Sequence, residues 1–169
     1  MISEVEQYLT MIEDLRAQIA DQVRDMSAEA LNWKPIEGEG ERATNSLAVL
    51  AVHVAGAEHF WIGEFVGKLP PTRDRDAEFR TVVDSPQPCL DALEAVGIET
   101  REILSKLTPE ELDEVREVRG KQVAVRWGIL HVIDHTALHL GHMQITYQLW
   151  NEGKANPMPR WFERVGAGK

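Results

Sequence analysis

A chain that places four histidines within twelve residues of one apolar segment, His131-Val-Ile-Asp-His135-Thr-Ala-Leu-His139-Leu-Gly-His142, has few ways to fold. At about 100° per residue, a helix through this run gathers the four imidazoles into a sector of roughly 80°. Leu149 shares that sector, with Leu138 and Ile145 at its edge, so the stripe is expected on or beside the inward face. Buried imidazoles need partners for their ring nitrogens, and protonated neighbours repel one another. A metal ion that takes neutral nitrogens as ligands meets both demands. His135 and His139, one turn apart, are the pair best placed to converge on one ion. Two ligands seldom hold an ion, so a third is expected from another element.

The rest of the chain supplies helices to pack against this one. From Ile2 to about Met26, Val5, Leu9, Ile12, Leu15, Ile19 and Val23 recur every three or four residues, the pattern of a long amphipathic helix. A short capped turn follows at Ser27-Ala-Glu-Ala-Leu31, then a Pro- and Gly-punctuated loop from Asn32 to Gly40 in which Trp33 can serve as an anchor. A second helix is expected from Asn45 or Ser46, as N-cap, to about Val66, and its apolar character marks it as deeply buried. On it His53 lies near Leu50, Ala57, Phe60, Trp61 and Glu64, whereas His59 lies roughly 120° away. His53 is therefore the candidate third ligand and His59 is read as a non-ligand. Gly56 and Ala57, one turn on, leave room for a close neighbour.

Residues 67–87 are too long and too rich in Pro and charge for a tight turn, and are expected to cross over the bundle, with Arg73-Asp74-Arg75-Asp76 as solvated surface. A third helix is expected from Pro88 to Leu107, with Gly97 as a weak point, and Thr108-Pro-Glu-Glu-Leu112 reads as a further helix start. The histidine helix follows Val123-Ala-Val-Arg-Trp127 and stops near Gly153. The fold class is all-α, a four-helix bundle with a long crossover between its second and third helices. A chain of 169 residues that is 43% hydrophobic can form one domain, residues 1–169, with the tail from about Lys154 packing on the bundle or a partner.

Composition narrows the functional classes. A net charge of −10 without any Lys/Arg-rich run argues against nucleic-acid binding. Cys89 is the only cysteine, so no intramolecular disulfide is possible and a reducing compartment is expected. The opening Met1-Ile-Ser-Glu-Val-Glu-Gln lacks the basic and then apolar pattern of a secretory signal, and no apolar run of about 18 residues is present to span a membrane. A cytoplasmic location with no membrane partner is the expectation.

Two segments, Leu50-Ala-Val-His53-Val-Ala-Gly-Ala-Glu58 and Arg126-Trp-Gly-Ile-Leu-His131 through His142, make the chain resemble the DinB-like superfamily over about residues 2–152. That superfamily of four-helix metal proteins includes bacterial thiol-dependent transferases and the metal-binding domain of mycothiol-dependent maleylpyruvate isomerase. The resemblance implies that His53, His135 and His139 bind a divalent ion, and it implies a homodimer. The sequence mixes two branches of the superfamily, with a histidine at position 135, a Gly141-His142 ending and Leu138 where one branch carries arginine. His131 and His142 are read as groups that support the ligands or line the pocket.

Three histidine ligands leave positions open for water or substrate, which is a catalytic type of site. The leading expectation, implied by the resemblance, is a metal-dependent enzyme that activates a low-molecular-weight thiol for transfer to a small-molecule electrophile, with Zn²⁺ or Ni²⁺ as the ion. The alternatives are a metal-dependent hydrolase and a non-catalytic, metal-stabilised stress-response module.

Overall fold

The computed structural model describes residues 1–38 and 44–164. The end of the expected Asn32–Gly40 loop and the last residues of the tail, 165–169, lie outside the described residues. Four long helices form the bundle: α1 (Ser3–Arg24), α3 (Leu47–Glu58, continued by a π-helical segment, His59–Val66), α5 (Gln87–Lys106) and α7 (Val125–Trp150). Short helices α2 (Ala28–Asn32), α4 (Arg75–Phe79), α6 (Pro109–Leu112) and α8 (Trp161–Arg164) decorate it. Both α1 and α3 pack chiefly on α5 and α7, so α1 and α3 stand opposite each other, as do α5 and α7. No described helix is long and apolar enough to cross a membrane.

Local sequence explains where these helices begin. The Ser27 hydroxyl accepts the Ala30 amide at the start of α2, and the Ser46 hydroxyl accepts that of Val49 at the start of α3. Thr108 and Glu111 form a reciprocal capping box on α6. Trp33 anchors its loop by packing on Trp150, with ring centroids 5.7 Å apart. Residues between α3 and α5 form the crossover, which contains α4, capped by Asp74 accepting from the Ala77 amide at 2.9 Å.

The core has two apolar levels. One gathers Ile19, Leu31, Leu47, Val54, Leu93 and Met143, and the other Val5, Ile12, Ile62, Leu104, Leu112 and Ile129. Between them Arg16 donates to the buried Glu58 carboxylate, which also accepts from Thr100 Oγ1 at 2.6 Å. Gly97, expected as a weak point of its helix, is instead what admits Arg16: a Cβ there would lie 2.8 Å from Arg16 Nε.

One element was not expected from the sequence, and the inward placing of Leu138, Ile145 and Leu149 is corrected. The acidic-basic run after α6 is a β-hairpin, β1 (Val115–Val118) and β2 (Lys121–Ala124), closed by Arg119 and Gly120 at φ 51° and 76°. Two successive positive φ values make a type I′ turn, whose twist suits a hairpin. Arg116 pins the hairpin by donating to the carbonyls of Phe65 and Val66, which end the π segment. On α7 the buried face runs through Ile129, Val132, Ile133, Thr136, Leu140 and Met143. Leu138, Ile145 and Leu149 are more than half exposed, because the histidine stripe flanks the inward face rather than centring it.

The Arg16–Glu58 pair gives a stability prediction. Arg16→Met should lower unfolding free energy by about 3–5 kcal/mol by stranding a buried carboxylate, and combining it with Glu58→Leu should recover most of that loss. Urea unfolding measures both, and a double variant no more stable than the single one would count against this role. Burial also pushes the Cys89 thiol up to about 11, so at pH 8 roughly a thousandth of it is thiolate. Folded protein should therefore resist iodoacetamide at pH 8 over a period in which urea-unfolded protein is fully alkylated, as mass spectrometry would read.

Candidate metal centre

α3 and α7 bring His53, His135 and His139 together, with one nitrogen from each within 4.8 Å of the others. His53 is buried and the other two half-buried. The ring centroids of His135 and His139 are 4.4 Å apart, and His53 lies 5.0 Å from each. An ion with bonds of about 2.0–2.1 Å would set its nitrogens closer than this, roughly 3.4 Å apart in a tetrahedron, a difference that small imidazole rotations can close.

The donor set fits a divalent ion chemically as well as geometrically. Burial holds His135 at about 3, with the neighbouring His139, His53, His131 and Arg73 adding to the depression. Burial likewise lowers His139 to about 4, helped by His53 and His142. Both imidazoles are therefore neutral at physiological pH and offer lone pairs. His53 is fixed differently: its Nδ1 lies 2.8 Å from Glu78 Oε2. Burial would raise the Glu78 carboxyl, but hydrogen bonds from Arg73 and His53 together with the Arg73 charge hold it down at about 2. An ionised Glu78 keeps the proton on His53 Nδ1 and leaves Nε2 as the free acceptor, the usual support for a ligating histidine.

The sequence reading missed Glu78 and the apparatus that holds it. Arg73 grips Glu78 with two hydrogen bonds, Nε to Oε1 at 2.6 Å and Nη2 to Oε2 at 2.8 Å. The backbone amides of Thr72 and Arg73 in turn donate to Glu64 Oε1 at 2.6 and 2.9 Å, which clamps the crossover to the π segment. Arg73 is thus nearly buried rather than solvated surface. Gly56 is the signal that was available: a Cβ there would lie 2.1 Å from Glu78 Oε1, so the small residue seen one turn beyond His53 makes room for this carboxylate.

The remaining histidines divide as follows. His59 points away from the cluster, with Nδ1 2.8 Å from Glu99 Oε1 and Nε2 2.8 Å from Thr72 Oγ1. His131 stacks on Trp127, centroids 4.8 Å apart at 9°, and borders a cleft shared with His53 and His135. Burial lowers its pKa, with Asp134 opposing. His142 is exposed and places its Nδ1 3.5 Å from His139 Nδ1.

Comparison with solved structures agrees with this architecture. A conserved protein from Enterococcus faecalis superposes with a TM-score of 0.68 at 17% identity, covering 88% of this chain and 98% of its own. DinB-like proteins from Bacillus cereus (TM-score 0.68, 17% identity, 90% of this chain and 93% of that one) and Bacillus subtilis (0.60, 17%, 91% and 94%) share the fold. No curated protein matches the sequence. The family model for mycothiol S-transferase matches residues 7–150. With the DinB-like fold and most of the sequence accounted for, the chain belongs to the mycothiol S-transferase family.

Proposed function

We propose that this protein is a metal-dependent S-transferase that joins a low-molecular-weight thiol to a small electrophile. The observation that carries the reading is the three-histidine cluster with His53 locked by Glu78 beside an open cleft. The family match supports the thiol as the nucleophile. A divalent ion held there, Zn²⁺ or Ni²⁺, would supply the Lewis acidity that brings a coordinated thiol's pKa toward neutrality.

The chain's own residues do the positioning. His135 and His139 present unprotonated nitrogens from successive turns of one rigid helix. His53 Nε2 is aimed by the Glu78–Arg73 clamp. His131 forms part of the cleft wall, and His142 packs edge-on against His139 at 5.4 Å, steadying its ring. In the transfer, the thiol sulfur forms the new bond to the electrophilic carbon. The leaving group departs with its bonding pair, and the thiol proton is released to solvent. The cleft favours this over a structural role for the cluster, because a purely structural site is normally closed by its fourth ligand.

Purified protein reconstituted with Zn²⁺ should hold about one ion per chain. His139→Ala should lose most of it and His59→Ala should keep affinity within about twofold. Equal retention by both variants in equilibrium dialysis would exclude the site. The support shell can be tested separately. Gly56→Ala should displace Glu78 and weaken Zn²⁺ binding roughly 10- to 100-fold, as loss of a carboxylate behind a ligating histidine typically does, and Glu78→Ala should match it. Unchanged affinity in both would show that the carboxylate does not orient His53.

A further inference from the structure

The cleft that reaches His53 and His135 has a volume of about 200 Å³ and is lined by three arginines, Arg73, Arg75 and Arg119, and by no carboxylate other than through the back of Arg73. In a chain of net charge −10 this is a local reversal of sign. Arg73 is neutralised by its two bonds to Glu78. Arg75 and Arg119 form no ion pair among the described residues. Their guanidinium groups instead lie over aromatic rings, Arg75 over Phe79 and Arg119 over Phe60, each at 4.7 Å. A guanidinium resting on a ring remains charged and keeps N–H donors available for an oxyanion.

The two cations arrive from different parts of the fold. Arg75 begins α4 in the crossover, and Phe79 beneath it packs on the His53 ring with centroids 4.8 Å apart. Arg119 occupies the first turn position of the hairpin at φ 51°, a left-handed conformation better suited to Gly, Asn or Asp. A hairpin tip that retains arginine in that conformation delivers the side chain to the cleft on a short, pinned lever.

We propose that Arg75 and Arg119 form an oxyanion subsite that holds a carboxylate of the small molecule handled at the histidine cluster. The substrate class is then a compact carboxylate-bearing molecule, with the charge on either the electrophile or the thiol. Its placement as a substrate subsite rests on the S-transferase reading, whereas the binding of an oxyanion by the two arginines does not. Bidentate N–H···O pairing suits a carboxylate, and an ion with three neutral ligands would add to the positive potential.

Calorimetric titration of the full chain, metal-free and Zn²⁺-loaded, with succinate and with its uncharged diamide, tests this directly. Metal-free protein should bind succinate but not the diamide, and Arg75→Gln with Arg119→Gln should weaken succinate at least tenfold while leaving Zn²⁺ affinity within twofold. Both arginines are exposed, and a melting temperature within a few degrees of the parent would show the variant folded; Arg119→Lys, which keeps charge but loses the fork, should fall in between. Equal succinate binding by parent and double variant, equal binding of succinate and diamide, or no succinate binding at tens of millimolar would each overturn the subsite. Failure of Zn²⁺ to bind with the succinate result intact would instead overturn the metal reading alone. In Zn²⁺-loaded protein, tighter binding of 3-mercaptopropionate than of 2-mercaptoethanol, lost in the double variant, would place the carboxylate on the thiol. Succinate binding alongside 2-mercaptoethanol, with no advantage for 3-mercaptopropionate, would place it on the electrophile.

Discussion

The hydrogen bond between His53 and Glu78 joins the crossover to the bundle, and the geometry of the site follows from it. Without that carboxylate, His53 would be a buried imidazole free to choose either tautomer and several ring orientations. With it, Nδ1 is committed to Glu78, and the ring lies beside His135 and His139 of α7. The bond in turn requires a loop that returns over α3 at the right height. Glu64 sets that height by accepting two backbone amides, and Arg73 and Gly56 complete the seat. A connection that is long for a simple turn is therefore a working part of the site.

The bundle makes this arrangement affordable by separating its apolar core into two levels. His53 follows Ala51 and precedes Val54 of one level, while Ile62 of the same helix belongs to the other; His135 and His139 fall between Ile133 and Leu140, which belong to different levels. Arg16, Glu58 and Thr100 lie in the interior between the levels, where each polar atom that bonds does so to another element. Placing Arg16 and Thr100 together against Glu58 Oε1 pairs one oxygen of the buried carboxylate twice, while Oε2 has no hydrogen-bond partner among the described residues.

Much of this was legible in the sequence, for a physical reason. Helical periodicity follows from burial on one face, so Val5 to Val23 and a cap at Asn45 or Ser46, of which the structure uses Ser46, were readable without structure. His135 and His139 were legible because i and i+4 on a helix meet whatever surrounds them, and His53 because it shares the inner face of an apolar helix. The hairpin escaped because four-residue strands leave little periodicity, although Val-Arg-Glu-Val, Arg-Gly and Lys-Gln-Val-Ala carry the alternation and the turn. Glu78 and the inward turn of Arg73 escaped because a charge run looks alike whether it faces water or folds back onto the bundle. Only the path of the chain between residues 67 and 86 decides which, and that path depends on tertiary contacts with Glu64 and Gly56.

The proposed centre has three imidazoles from two helices sharing one ion. X-ray absorption at the zinc edge of the Zn²⁺-loaded protein reads this most directly. The expected spectrum has about three nitrogen neighbours at about 2.0–2.1 Å with the outer-shell scattering of imidazole rings, completed by a light-atom ligand that is replaced by sulfur when a thiol is added. A first shell of oxygens alone, without imidazole scattering and unchanged by thiol, would contradict it.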